Sequence, residues 1–141
     1  MRRPEEAAVV VRREGAYLVL RRTPERHGYW NLVAGALEWG EEAAAAARRE
    51  LREETGLVAE VRELERYAYD LADEPPDVRA RFAPEVETVQ LHTFLAEAPP
   101  GWEPVLDEEH DAYRWCSADE AVALLAYPEP REAVRAAEGL G

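Results

Sequence analysis

The chain has 141 residues, enough for one hydrophobic core without disulfides or a structural metal, so one domain over residues 1–141 is expected. Nearly half of its residues are apolar and a third are charged, and 17 basic against 30 acidic side chains give a net charge of -13. That balance argues against a protein that wraps a long nucleic acid, whose affinity comes from neutralising phosphates, yet a small phosphorylated ligand fits if local arginines and a bound cation reverse the sign inside a pocket.

The chain opens with two aliphatic runs, "AAVVVRR" and "AYLVLRR", joined by the Gly-containing "EGA", which predicts a hairpin. "TPERHGYW" is turn-rich, and "WNLVAGALEWGEE" reads as a brief extended piece broken by Gly35 and Gly40. From Glu41 to Thr55 the sequence is built of strong helix formers, with Gly56 where a C-terminal glycine cap belongs. "LVAEVRELERYAYDL" predicts a strand, and the proline-containing "ADEPPDVRARFAPEVE" a surface loop. "TVQLHTFLAEA" and "AYRWC" predict two more strands. Ser117 with Glu120 three residues later marks a capping box and a second helix, and "PREAVRAAEGLG" adds a last helical turn or two. Strands, helix, strands, helix predict an α/β fold with a mixed sheet and helices packed on its faces.

Cys116 is the only cysteine, so no intrachain disulfide can form, and a reducing, cytoplasmic setting is expected. No apolar run approaches the roughly twenty residues of a membrane span, so no membrane partner is expected.

The predicted helix carries the chemistry. At about 100° of rotation per residue, Glu50, Glu53 and Glu54 fall within roughly one third of its circumference, beside a stripe of Ala44, Ala47 and Leu51 that can pack on a sheet. Clustered carboxylates repel one another as bare anions. Mg²⁺ relieves that repulsion: it takes oxygen ligands, keeps several waters and bridges to substrate phosphates. A solvated acidic face is the competing reading of such a helix. Arg49 can orient a glutamate through a two-pronged contact that lysine does not reproduce.

The spacing decides between them. Gly35, five residues, Glu41, seven residues, then "RELREETGL" fills every defined position of G-x5-E-x7-R-E-U-x-E-E-x-G-U, through Arg49, Glu50, Leu51, Glu53, Glu54, Gly56 and Leu57. This resembles the Nudix box. The resemblance implies a Nudix α/β/α sandwich and Mg²⁺- or Mn²⁺-dependent hydrolysis of a nucleoside diphosphate linked to a further group. It also implies that Glu50, Glu53 and Glu54 are metal ligands, that Arg49 and Glu41 organise them, that Gly35 shapes the loop, and that Glu53 takes the proton of the attacking water.

Outside the box, "EEHDAYRW" resembles the E-H-x-x-Y-[RK]-W element of dihydroneopterin triphosphate pyrophosphatases and diadenosine polyphosphate hydrolases, which implies Glu109 as a further metal ligand or base. "RFAP" is similar to an R-[YF]-A-P segment of the first group, with Thr88 and Val89 standing where that group has Arg-Asn; it makes Arg81 a candidate phosphate contact. The segment "RRTPERHGYWNLVAG" adds Arg21 or Arg22 as a phosphate contact and Trp30 or Tyr29 as a stacking surface. The resemblance therefore points to a small phosphorylated substrate, first a (deoxy)nucleoside or dihydroneopterin triphosphate split into monophosphate and pyrophosphate, then a diadenosine polyphosphate. A non-catalytic nucleotide-binding module of the same fold is the alternative from another class, and either a monomer or a homodimer is compatible with the sequence.

Overall fold

The computed structural model describes residues 1–141. Strand β1 (Glu5–Arg13) and β2 (Ala16–Arg22) form the expected hairpin, but they pair only beside the turn, at Arg12 with Tyr17 and Arg13 with Ala16. Beyond that point they splay. The short strands β3 (Trp30–Asn31) and β4 (Val33–Ala36) fill the fork, β3 against β2 and β4 against β1. Helix α1 follows at Ala43–Thr55, then β5 (Arg62–Asp70), a single turn α2 (Pro76–Arg79), β6 (Thr88–Glu97), β7 (His110–Cys116), α3 (Ala118–Leu124) and α4 (Pro128–Glu138).

The sheet has seven strands and is mixed: β1 runs parallel to β6, and every other pairing is antiparallel. Because β1 is covered on both faces, its centre reads as an unbroken apolar run, Ala7–Val11, instead of alternating. Val9 and Val11 join Leu18, Leu20 and Val33 against Ala46, Ala47 and Leu51 of α1. Val10 and Val19, on the opposite face, meet Ala121 of α3 and Ala133, Val134 and Ala137 of α4. Small alanines on all three helices let their backbones lie close to the sheet. The result is the α/β/α arrangement expected from the order of elements.

Helix ends follow their sequence signals. Gly56 caps α1 with φ 81° and its N–H donates to the carbonyl of Arg52 at 2.9 Å. Ser117 and Glu120 form the reciprocal capping box, with the Glu120 N–H to Ser117 Oγ at 3.1 Å and the Ser117 N–H to Glu120 Oε1 at 2.8 Å. Two expectations need correction. The terminal helix α4 is 11 residues long, not a turn or two, because Pro128 and Pro130 sit in its first turn, where a missing N–H breaks no intrahelical bond. The loop after β5 contains α2, another proline-started turn. No helix is long and apolar enough to cross a membrane.

Candidate active site

The carboxylate helix meets β4 at its one unpaired edge, since β4 pairs with β1 alone. Gly35 makes the meeting possible: a Cβ built there would lie 2.3 Å from Cδ of Glu50, so only glycine leaves room for that carboxyl group. Glu54, one turn on, accepts the Ala34 N–H at 3.3 Å. The side chains of Glu50 and Glu54 are only 12% and 4% exposed, although both are acids. Burial pushes both carboxyl groups above the usual carboxylate range, Glu54 much the further because the neighbouring Glu50 adds to the effect.

Arg49 organises this corner. Its Nε and Nη2 hold the two oxygens of Glu41 at 2.9 Å each, its Nη1 reaches Glu50 at 2.8 Å and Glu53 at 3.3 Å, and Nη2 also donates to the Ala36 carbonyl at 3.1 Å. Glu41 is held below its ordinary pKa by this contact. Glu53 differs from its two neighbours: its side chain is 52% exposed and it does not line the cleft described below. On the helix it is turned back from Glu50 by about 60°, whereas Glu54 is turned forward by about 40°.

Glu50, Glu54 and Arg49 form one wall of a cleft of about 460 Å³, within the range of small-molecule sites. Arg22, Arg26 and Arg81 line it, as do Tyr29, Glu74, Glu109 and Tyr127. Glu109 is paired with Arg26 at 2.9 Å. Arg22 lies with its guanidinium 5.4 Å from the centre of the Tyr29 ring, and the Tyr29 ring stands edge-on to Tyr127 at 5.2 Å. Arg22 and Arg81 have no carboxylate partner, unlike Arg26 and Arg49, so their charge is open to a ligand.

Arg21 and Trp30 fall elsewhere. Neither lines the cleft: Arg21 points to Asp111 at 2.8 Å and lies 5.9 Å from the Trp30 ring, which packs against the core beneath α3 and α4. Successive residues of a strand face opposite sides, so Arg22 can enter the cleft only if Arg21 does not. The Tyr113 hydroxyl and the Trp115 indole N–H both donate to Glu103, away from the cleft.

His110, marked in the sequence only as part of the Glu109–Trp115 element and given no role there, is buried, with Nδ1 2.7 Å from Asp107 and Nε2 3.8 Å from Glu54. Tyr127 and Glu74 were not visible in the sequence: they come from the start of α4 and the loop after β5, only folding brings them to Tyr29, and no local pattern marks them.

The donor set suits a hard divalent cation. Glu50 and Glu54 are buried, adjacent and mutually unfavourable as anions, and no three His, Cys, Asp or Glu side chains converge at metal-binding distance. A carboxylate pair completed by waters and substrate oxygens is the way Mg²⁺ is commonly held.

A layered α/β/α fold with a carboxylate helix beside an arginine-lined cleft defines a phosphohydrolase type of site. Residues 1–137 match the NUDIX domain family, and the chain belongs to the Nudix hydrolases. It is 35% identical over 134 residues to the phosphatase NudJ of Escherichia coli K12, covering 91% of this chain and 78% of that protein. An octanoyltransferase from Myxococcus xanthus is 37% identical over 125 residues, which are 88% of this chain, and the chain spans only 32% of the length of that protein. Among solved structures, the dihydroneopterin triphosphate pyrophosphohydrolase of E. coli superposes with a TM-score of 0.82 at 28% identity, over 95% of this chain and 94% of that one.

Proposed function

We propose that this Nudix hydrolase is a divalent-metal-dependent pyrophosphohydrolase that splits a ring-bearing triphosphate, a dihydroneopterin or (deoxy)nucleoside triphosphate, into monophosphate and pyrophosphate. The observation that carries this reading is the pair of cleft guanidiniums without carboxylate partners, Arg22 and Arg81, in the same cleft as the buried Glu50 and Glu54. The likeness to the E. coli dihydroneopterin triphosphate pyrophosphohydrolase supports the substrate class.

In this reading Glu50 and Glu54, with Glu53 from the rim, hold Mg²⁺ or Mn²⁺. When bound, the cation neutralises the bridging phosphates and acidifies the attacking water. Arg22 and Arg81 bind the phosphates that are not attacked, and Arg49 keeps Glu50 in position. Tyr29 and Tyr127 offer their ring surfaces to the base or pterin. Glu109 takes the proton of the water ahead of Glu53, because Glu109 lines the cleft and Glu53 does not.

Dinucleoside polyphosphates are the second substrate class, shared through the Glu109–Trp115 element. Here Tyr113 and Trp115 bond to Glu103 outside the cleft, so the element gives the cleft Glu109 and no contact that favours a second nucleoside.

The test is product analysis with Mg²⁺ and a panel of dihydroneopterin triphosphate, nucleoside triphosphates, diadenosine tetraphosphate and ADP-ribose. Monophosphate plus pyrophosphate from a triphosphate is the expected result. Asymmetric cleavage of diadenosine tetraphosphate with triphosphates left intact would overturn the substrate class, and no metal-dependent product at all would leave a binding module.

A further inference from the structure

The cleft combines three kinds of surface: the buried acids of α1, the guanidiniums of Arg22, Arg26 and Arg81, and the edge-on pair Tyr29 and Tyr127. One polar group stands beside this aromatic pair without a charged partner. Glu74 is partly buried, no arginine or histidine bonds to it, and its one hydrogen bond is a long one, accepted from the Tyr127 hydroxyl at 3.5 Å. By contrast Glu6, another acid that lines the cleft, is satisfied by Arg2 at 3.0 Å and by the Tyr69 hydroxyl at 2.7 Å. Burial also holds the Glu74 carboxyl group above its ordinary pKa, as expected of an acceptor that lacks a partner.

An ionised carboxylate offers only acceptors. Beside aromatic surfaces that can hold a flat ring, it pairs with a ring edge carrying two adjacent N–H donors and repels an edge that presents a ring-nitrogen lone pair. The amino-oxopyrimidine edge shared by guanine and pterins has a ring N–H next to an amino group. Adenine and cytosine each set an acceptor nitrogen beside their amino group.

We infer that Glu74 selects the ring of the substrate, favouring triphosphates with a guanine-type or pterin-type donor edge over those of adenine and cytosine. This rests on the reading of the chain as a triphosphate pyrophosphohydrolase, and it assigns the specificity of that cleft to a residue outside the carboxylate helix. A site built around a charged hydrogen bond discriminates by roughly 10- to 100-fold.

The experiment compares kcat/KM for GTP, dihydroneopterin triphosphate, ATP and CTP in the full chain and in Glu74→Gln, with calorimetric binding of GMP and AMP to both. The monophosphates are not split, so they report ring recognition without turnover. The expected result is a preference for the guanine and pterin rings that Glu74→Gln removes through KM with kcat kept. Because a carboxamide carries both a donor and an acceptor, adenine binding should improve in the same variant. Unaltered thermal unfolding of this near-isosteric variant shows that the fold is intact, and Glu74→Asp, which keeps the charge, should retain part of the preference. Triphosphate hydrolysis with GMP and AMP bound alike would overturn the inference and leave the proposed activity standing. No hydrolysis of any triphosphate, together with Glu74-dependent preference for GMP over AMP, would remove the activity and uphold the inference.

Discussion

The guanidinium of Arg49 grips both oxygens of Glu41 at 2.9 Å across eight residues, joining the loop before α1 to the middle of the helix. The same group reaches Glu50, so the loop and the buried acid are set by one planar fork. Lysine carries the charge but a single point of contact. Arg49→Lys should lower metal affinity or activity by roughly 10- to 100-fold, the usual effect of removing a group that orients a ligand. Titration of turnover against Mg²⁺ concentration measures it, and an unaltered titration curve would rule out this role.

Gly35→Ala separates folding from catalysis. The added methyl would collide with the far end of the Glu50 side chain, which can swing aside, so the chain should still fold. The displaced carboxylate should lower kcat on the order of 100-fold, as misplacement by about 1 Å can. Thermal melts and steady-state rates on one preparation would show the contrast; a melt lowered in proportion to activity would mean that the backbone and not Glu50 had moved.

Stability of the metal-free protein should fall as pH rises. Glu54 and Glu50 have folded-state pKa values above those of the unfolded chain, so their contribution is fully present below the unfolded value. It is lost as pH climbs through the folded ones. Glu41 works in the opposite direction: its lowered pKa stabilises the fold above the ordinary carboxylate range and is lost on acidification. Melting temperatures followed from the ordinary carboxylate range upward should show Mg²⁺ stabilising the protein more as pH rises, once these raised carboxyl groups ionise. Glu54→Gln should raise the metal-free melting temperature at the upper end and remove the Mg²⁺ effect; a variant that Mg²⁺ still stabilises fully would argue against Glu54 as a ligand.

Arg21 and Arg22 are adjacent in sequence and opposite in role. Arg22→Ala should raise KM for a triphosphate by roughly 10-fold or more, as loss of a charged hydrogen bond does. Arg21→Ala removes an exposed pair with Asp111 and should change stability by about 1 kcal/mol or less, with KM unchanged. Equal effects of the two substitutions on KM would show that the strand does not sort them.

Much of this was legible in the sequence for physical reasons. The α1 helix, its glycine cap and the Ser117 box are local, so propensity and capping residues mark them. Glu50, Glu54 and Arg49 are legible because their spacing on one helix turns them toward one side, whereas Glu53, grouped with them in the sequence, faces solvent. What was hidden is long-range. The fork between β1 and β2, and its filling by β3 and β4, depends on pairings that no short window contains. Which of Arg21 and Arg22 enters the cleft depends on strand register. Tyr127 stands 98 residues from Tyr29, against which its ring packs, and His110, the first residue of β7, reaches Glu54 from beyond two further strands with Asp107 holding its other ring nitrogen. The length of α4 was obscured by its own prolines, which sit where a helix tolerates them.

The wedge of β3 and β4 in the hairpin fork ties the acid-bearing corner to the core, because β4 is hydrogen-bonded to β1 and packed under α1. Glu74 and Tyr127, by contrast, hang from the loop after β5 and from the first turn of α4, outside the sheet. The two ends of the cleft thus come from separate parts of the chain. Exchanging segment 71–80, which carries Glu74 and stops short of Arg81, for that of another Nudix hydrolase is the way to change which ring is accepted while the carboxylate helix and the phosphate-facing arginines stay in place.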